Sequence, residues 1–218
     1  MDGRNAAARP IIAWDWNGTI LDDLDLCVSC MNEMLARRGM RKIGSRDEYR
    51  SLFRFPVEDY YRAVGWDLDA IPFPVLADEF IALYQEASLA CPLVPNAKTA
   101  LELARGRGYR QILLSASRAE NLAQQVRSFG VSEFFDHVLG TGDVLARSKL
   151  TVARSWATSN GIDPALVTLI GDSLHDLEVA RDLGWDCVLY AGGHQPIPAP
   201  ADGSYRLVHD LAELGEIL

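Results

Sequence analysis

Five short, uninterrupted apolar runs constrain the fold of this chain more than any other feature. They do not alternate between apolar and polar residues, so they are typical of strands that are covered on both faces. Strands are predicted at 11–14, 111–114, 137–139, 167–170 and 187–190. Amphipathic helices are predicted between them at 97–105, 119–129, 149–159 and 174–183. This alternation predicts an α/β fold with a parallel sheet, whose right-handed crossovers bring the strand ends to one edge.

The interval between the first two strands is far longer than a crossover needs, and its pattern is helical throughout. Asp22 and Asp23 indicate the start of a helix that runs to Arg38, and Ser45 and Pro56 indicate two further helix starts. One face of a longer helix is marked by Leu76, Phe80, Leu83, Tyr84 and Ala87. We therefore predict a Rossmann-like parallel sheet core formed by residues 1–20 and 93–218, with an all-helical cap domain inserted at residues 21–92. The two adjacent connections to the cap define a hinge above the strand ends, where ligands bind in open α/β sheets.

The composition limits the classes of partner. A net charge of −9 repels nucleic acid and anionic membranes, so no nucleic acid or membrane partner is expected, and phosphate-bearing ligands must be captured by local groups. The residues before Pro10 contain no apolar segment of a signal peptide, and no window has the length of a membrane span. We expect a cytoplasmic protein with a small ligand, present as a monomer or homodimer.

The four cysteines show no disulfide framework. Cys27 and Cys30 form a C-x-x-C pair, but Cys27 lies on the apolar face of a predicted helix. No second cysteine pair or nearby histidine in the sequence completes a zinc site. We interpret Cys27 as a core residue and Cys30 as its neighbour on the next turn.

Chemically useful side chains recur at the predicted strand ends. The groups are Asp15 with Asn17, Gly18 and Thr19; Ser115 with Ala116; Lys149 at a helix start after the 140–148 loop; and Asp172 with Asp176. Each group alone is weak evidence, since an aspartate after a strand is often a helix cap and a single lysine is usually solvated. Their joint order around an inserted cap indicates one site for a phosphate and a cation.

With these motifs, the sequence resembles the haloacid dehalogenase superfamily of aspartyl-nucleophile phosphatases, in the small helical cap subclass that includes phosphoglycolate phosphatase-like enzymes. The run Asp15-Trp16-Asn17-Gly18-Thr19 matches the family's D-x-D-G-T motif except at its second aspartate. Ser115, Lys149 and the pair of Asp172 and Asp176 match the three later motifs. The resemblance covers nearly the whole chain.

The resemblance implies a Mg²⁺-dependent phosphatase that hydrolyses a small phosphorylated metabolite through an aspartyl-phosphate on Asp15. It implies that Mg²⁺ is held by Asp15, Asp172 and the backbone carbonyl of Asn17. The phosphate would be held by Gly18, Thr19, Ser115, Ala116 and Lys149. Asp176 would orient Lys149 or a metal-bound water. A positive ion between two anions is also what the chemistry requires, because a carboxylate and a phosphate repel each other.

Asn17 departs from the family pattern. The second aspartate of the motif protonates the leaving group and then activates water, whereas an amide exchanges no proton at neutral pH. Three explanations are open: His175 or His194 supplies the proton, the leaving group needs none, as in an acyl phosphate, or turnover is slow. The last makes the chain a weakly catalytic or inactive phosphate-ligand binding protein.

Two further hypotheses concern the substrate. Arg54 lies in a short loop of the predicted cap, from which it could reach an anionic substrate tail or remain inert in solvent. Hydrolytic dehalogenation also dispenses with the second aspartate. Lys149 and the two later aspartates favour a metal and a phosphate instead.

Overall fold

The computed structural model describes residues 9–142, 149–200 and 203–218. Most of the polar N-terminus and most of the loop before Lys149 lie outside these ranges. A single parallel sheet has the order β3-β2-β1-β4-β5-β6. Its strands are β1 (Ile11–Trp14), β2 (Arg110–Arg118), β3 (His137–Thr141), β4 (Val167–Gly171), β5 (Asp186–Tyr190) and β6 (Arg206–Val208).

Helices cover both faces of this sheet, which confirms the predicted α/β fold class. Those of the core are α5 (Ala97–Gly106), α6 (Ala119–Ser128), α7 (Lys149–Ser159), α8 (Leu174–Leu183) and α9 (Leu214–Ile217). Alternate residues of β1 enter different apolar clusters: Ile12 and Trp14 belong to the cluster that includes residues of α5 and α6, and Ile11 and Ala13 to the one that includes residues of α7 and α8. Burial on both faces explains why the strands read as unbroken apolar runs.

The five predicted strands are present, but the sheet has a sixth. β6 contains three residues, Arg206–Val208, and pairs with β5 at the edge. A run this short, with a charged first residue, carries little strand signal in the sequence. β2 is also longer than predicted and continues through Ser115 to Arg118.

Four helices lie between β1 and the core helices and share a separate apolar core. They are α1 (Leu24–Ala36), α2 (Arg46–Leu52), α3 (Val57–Val64) and α4 (Phe73–Ala87), here called the cap helices. Ser45 caps α2 as predicted, because its hydroxyl accepts a hydrogen bond from the Glu48 amide. The prediction that the Asp23 side chain caps α1 is wrong: Asp23 occupies the N-cap position, but its carboxylate makes no capping bond and points elsewhere.

The two connections between the cap helices and the sheet run side by side. The Asp22 amide donates to the Pro92 carbonyl at 3.0 Å, and the Val94 amide donates to the Ile20 carbonyl at 2.9 Å. Leu21 and Leu93 form an antiparallel bridge between these connections. The cap helices thus leave and return at one place, which is the geometry expected of a hinge; the exact domain boundaries stay a prediction.

Among the residues that the structure describes, no helix combines the length and the apolar character needed to cross a membrane.

Candidate active site

The carboxyl ends of three neighbouring strands bring the predicted site residues together. Asp15 follows β1, Ser115 lies near the end of β2, and Asp172 follows β4, which pairs with β1. The Asp15 amide donates to the Ile170 carbonyl at 2.8 Å, and this hydrogen bond fixes the backbone at Asp15. A cavity of about 190 Å³ opens above these strand ends and extends beneath the cap helices.

Lys149 lies at the centre of the site. It begins α7, is only 3% exposed, and donates from Nζ to Asp15 Oδ1 at 2.6 Å and to Asp176 Oδ1. Burial disfavours the ammonium charge, but the two carboxylates outweigh it and raise the pKa of Lys149. Lys149 is therefore a fixed cation next to the predicted nucleophile.

Asp176 holds Lys149 because its own geometry is fixed. Its Oδ2 accepts hydrogen bonds from the Ser173 amide at 3.1 Å and from the Ser173 hydroxyl at 2.6 Å, as part of a capping box at the start of α8. A Cβ at Gly171 would collide with the Asp176 carboxyl group. The glycine before Asp172 thus leaves the space in which Asp176 reaches Lys149.

Carboxyl groups outnumber ammonium groups at the strand ends. Burial raises the pKa of Asp15 to about 8; Lys149 opposes this shift, and Asp176 and Asp172 add to it. Burial likewise raises the pKa of Asp172 to about 6, against the opposing charge of His194. Carboxylate oxygens of Asp15, Asp172 and Asp176 lie within 4.8 Å of one another. An all-oxygen donor set with surplus negative charge fits a hard divalent cation.

Gly18 and Thr19, which are predicted to bind phosphate, make hydrogen bonds within the site. The Gly18 amide already donates to the Leu21 carbonyl at 2.9 Å and to Asp23 Oδ1 at 3.1 Å. The Thr19 hydroxyl is fully buried and donates toward Asp15 Oδ2 at 3.3 Å and Asp172 Oδ1 at 3.4 Å. Thr19 therefore orients the two carboxylates. Gly18 has φ of +73°, and a Cβ there would collide with Asp172.

Asn17 is held by four hydrogen bonds. Its Nδ2 donates to Asp23 Oδ2 and to the Tyr84 hydroxyl, each at 2.8 Å. Its Oδ1 accepts from the Ser117 hydroxyl at 2.8 Å and from the Ser115 hydroxyl at 3.5 Å. The amide is thus a fixed bridge between the sheet and the cap helices, and a donor toward Asp23.

Asp23 is the functional residue that sequence reasoning missed. It is 1% exposed, and its carboxylate accepts from Asn17, Gly18, His194 and the Tyr84 hydroxyl, the last at 2.6 Å. Burial disfavours its charge, but His194 and these hydrogen bonds lower the pKa of Asp23. Asp23 therefore places a carboxylate within hydrogen-bond distance of Asn17.

His194 is held between Asp23 and α2. Its Nε2 lies 3.1 Å from Asp23 Oδ1 and its Nδ1 lies 2.8 Å from the Tyr49 hydroxyl. Burial would lower its pKa, but Asp23, Asp172 and Asp15 raise the pKa of His194 to about 9. The ring, which lines the same cavity as Asp15, is thus an imidazolium at neutral pH.

Cys27 of the C-x-x-C pair lies near a histidine and a carboxylate, which the sequence did not indicate. Cys27 and Cys30 are buried among the apolar residues of the cap helices, as predicted, and all four cysteines are free. Folding nevertheless brings Cys27 within 4.8 Å of potential ligand atoms on Asp23 and His194. Cys27 and His194 are 167 positions apart, and this separation hid their proximity in the sequence.

Two candidate residues lie outside the cavity. Arg54 donates to the backbone carbonyls of Leu52 and Ser51, so its guanidinium closes the end of α2 instead of reaching a substrate tail. His175 stacks on Phe55 with ring centroids 4.4 Å apart, and its Nδ1 lies 3.3 Å from Glu178 Oε2. Of the two predicted histidine candidates, the structure therefore brings only His194 to the cavity.

The loop after β5 fastens the cap helices over the site. Arg50 on α2 donates to the carbonyls of Ala191 and Gln195. The Gln195 side chain donates to the Phe53 carbonyl at 3.0 Å and accepts from the Leu174 amide at 2.8 Å. The structure thus shows a closed arrangement, in which the cap helices and the strand ends enclose one cavity.

Comparisons with known proteins agree with this architecture. Residues 12–190 match the family described as haloacid dehalogenase-like hydrolase. A phosphoglycolate phosphatase of Caulobacter vibrioides is 26% identical over 215 residues, which cover 93% of this chain and 88% of the relative. A predicted phosphatase from Clostridium acetobutylicum superposes with a TM-score of 0.82 at 14% identity, covering 97% of this chain and 98% of the other. CbbY from Rhodobacter sphaeroides, solved with phosphate, has a TM-score of 0.65 at 23% identity, covering 95% and 97%.

The contact between Asn17 and Asp23 predicts the outcome of restoring the aspartate. In Asn17→Asp two carboxylates would face each other across the 2.8 Å contact that the amide now bridges. We expect a loss of about 2 kcal/mol or more in unfolding free energy, which lowers the thermal midpoint by roughly 4–8 °C. The double variant Asn17→Asp/Asp23→Asn, which exchanges the two groups, should recover most of that loss.

The measurement is thermal unfolding followed by circular dichroism. Asn17→Asp/Asp22→Asn serves as the control, because it removes a neighbouring charge whose side chain lies outside the cavity. If Asn17→Asp alone keeps the wild-type midpoint, or if both double variants recover equally, the contact does not determine which residue position 17 accepts.

Proposed function

The chain belongs to the haloacid dehalogenase-like hydrolase family, and from that premise we propose a Mg²⁺-dependent phosphatase that hydrolyses a small phosphorylated metabolite through an aspartyl-phosphate on Asp15. The observation that carries the proposal is the buried group of Asp15, Lys149, Asp172 and Asp176 at the floor of the cavity. The name of the Caulobacter relative, phosphoglycolate phosphatase, supports the same reaction class.

The proposed metal ligands are Asp15, Asp172 and the backbone carbonyl of Asn17. Three buried carboxylates share this region with one lysine and the imidazolium of His194, so a further cation suits the charge balance. When bound, Mg²⁺ supplies positive charge that offsets the repulsion between the Asp15 carboxylate and the phosphate oxygens. Asp176 is engaged with Ser173 and Lys149, so we assign it to positioning the lysine.

The remaining residues of the floor bind the phosphate and hold the nucleophile. Lys149 Nζ places a positive charge beside Asp15, where charge accumulates on the transferring phosphoryl group. Ser115 and Ala116 line the cavity on the side of β2 and offer a hydroxyl and a backbone amide to the phosphate oxygens. Thr19 keeps the Asp15 carboxylate oriented for attack on phosphorus.

The pair of Asp23 and His194 supplies the proton transfer that Asn17 cannot. His194 holds a proton on Nε2 beside Asp23, and the ring lines the cavity that Asp15 opens into. In the first half-reaction the imidazolium protonates the leaving oxygen as the P–O bond breaks and the Asp15–phosphorus bond forms. The imidazole then takes a proton from the water that hydrolyses the aspartyl-phosphate, which returns His194 to its starting state.

The proposed reaction also suggests the compartment and the partners of the protein. Phosphorylated metabolites occur in the cytoplasm, and its reducing conditions suit four free cysteines. We propose this compartment, a small phosphorylated substrate, and no nucleic acid or membrane partner. The choice between monomer and homodimer stays a prediction.

Replacement of the nucleophile tests the reaction class. Phosphate release with Mg²⁺ is measured on a broad panel of phosphate monoesters and acyl phosphates. Asp15→Asn should lower kcat on every active substrate by at least about 10³-fold, because no other group in the cavity has its placement. Asp22→Asn, a neighbouring change outside the cavity, should stay near wild type. No release from any member of the panel would favour the phosphate-binding alternative instead.

A comparison of substrates with different leaving groups tests whether His194 is the proton donor. In His194→Gln the kcat for alkyl phosphates, whose alkoxides need a proton, should fall by about 10²- to 10⁴-fold. The kcat for acetyl phosphate should fall much less, since acetate leaves without protonation. An equal loss on both substrate types would show that His194 acts only through structure. The released inorganic phosphate is measured in stopped assays, with wild type and His194→Gln at the same enzyme concentration.

A further inference from the structure

The part of the cavity beneath the cap helices has a different character from its floor. Its wall consists of aromatic and aliphatic side chains from α2, α3 and α4, among them Tyr49, Tyr60, Phe73 and Phe80. Apart from the polar cluster around Asp23, the polar groups that the cap helices contribute to the lining are neutral, such as the hydroxyl groups of Tyr60 and Tyr61 and the side-chain amide of Gln85. The whole cavity, floor included, has a volume of about 190 Å³, and an apolar cavity of about 150 Å³ binds benzene, so the space beside a phosphate suits a group no larger than about one ring.

Basic side chains are directed away from this wall. Residues 21–92 are described throughout, and none of their arginines or lysines lines the cavity. Arg38 pairs with Glu79, Arg62 with Glu58 and Asp59, and Arg50 with backbone carbonyls of the loop after β5.

The positive charges of the described lining residues lie at the floor and the rim. Lys149 and His194 are engaged with carboxylates. Arg118 is about half exposed and pairs with Glu120. A carboxylate placed against the cap helices would therefore be desolvated without a cationic partner from those helices, in a cavity that already holds the Asp23 carboxylate, which is unfavourable.

From this lining we propose that the substrate is a phosphate monoester with an uncharged, apolar leaving group about the size of one ring. The proposal rests on the proposed function and narrows its substrate class. It separates this chain from the relative named phosphoglycolate phosphatase, since phosphoglycolate carries a carboxylate on its leaving group. The phosphate lies against Lys149 and Ser115, and the leaving group contacts the aromatic wall of α3 and α4.

A matched pair of substrates isolates the charge of the leaving group. 4-Nitrobenzyl phosphate and 4-carboxybenzyl phosphate have nearly the same shape, and only the second carries a charge on the ring. With Mg²⁺ present we expect kcat/KM to be at least tenfold higher for the nitro compound, and phosphoglycolate to be a poor substrate. Equal values, or a preference for the carboxylate or for phosphoglycolate, would overturn the proposal.

A charge placed in the wall should change the preference. Phe80 lines the cavity, stacks on Tyr84 and is only partly buried, so Phe80→Arg can direct its guanidinium to the tail of a substrate. We expect the nitro-to-carboxy ratio to fall at least fivefold in this variant. Val75→Arg makes a similar change on the same helix at a side chain that is 55% exposed and outside the cavity, and should leave the ratio unchanged. Equal effects of the two variants would count against the wall as the determinant.

Binding separates a failure of this inference from a failure of the proposed function. 4-Nitrobenzylphosphonate and 4-carboxybenzylphosphonate are not hydrolysed, and calorimetry on the wild-type protein with Mg²⁺ gives their affinities. If no phosphate ester is turned over but the nitro compound binds at least tenfold more tightly, the reaction is wrong and the pocket assignment stands. If esters are turned over but the two phosphonates bind equally, the reaction stands and the pocket assignment is wrong.

Discussion

The ion pairs of Lys149 with Asp15 and Asp176 are the constraint around which the site is built. These ion pairs join the end of β1 to the starts of α7 and α8, which are distant in the sequence. All three side chains are buried at this point. A buried lysine is stable only with carboxylates, and buried carboxylates in this number need more positive charge than one lysine provides. The same arrangement that holds the fold together at the sheet edge therefore also favours a cation and a phosphate at its surface.

A second network links that floor to the cap helices. The carboxylate of Asp23 contacts Asn17 from the core, Tyr84 from α4 and His194 from the loop after β5. Separation of the cap helices from the sheet would leave a buried charge without its donors, so the closed arrangement and the intact proton-transfer group depend on each other. Asn17 and Asp23 thus place an amide and a carboxylate side by side in one hydrogen-bonded network.

The sequence predicted the features that depend on local pattern. Unbroken apolar runs located the five main strands, and the carboxyl ends of parallel strands determined that Asp15, Ser115 and Asp172 would meet. The role of Asp23 could not be predicted this way, because an aspartate before a helix has the same local pattern whether it caps the helix or points into a cavity. His194 was one of two histidine candidates, and only the path of the loop after β5 separates it from His175. The Arg54 guanidinium is directed away from the cavity because it donates to carbonyls at the end of the preceding helix, α2.

The apolar wall and the charged proton donor depend on each other physically. In the substrate class proposed above, an apolar leaving group that occupies the cavity displaces water from around the breaking bond, so less solvent is available to protonate a departing alkoxide. The proposed reaction then needs a proton donor that lines the cavity, and the imidazolium of His194, paired with Asp23, carries a proton there without adding net charge. A leaving group with its own carboxylate would upset this balance by adding a second negative charge beside Asp23. The asparagine at position 17, the burial of His194 and the aromatic lining are thus each consistent with the uncharged leaving group that we propose.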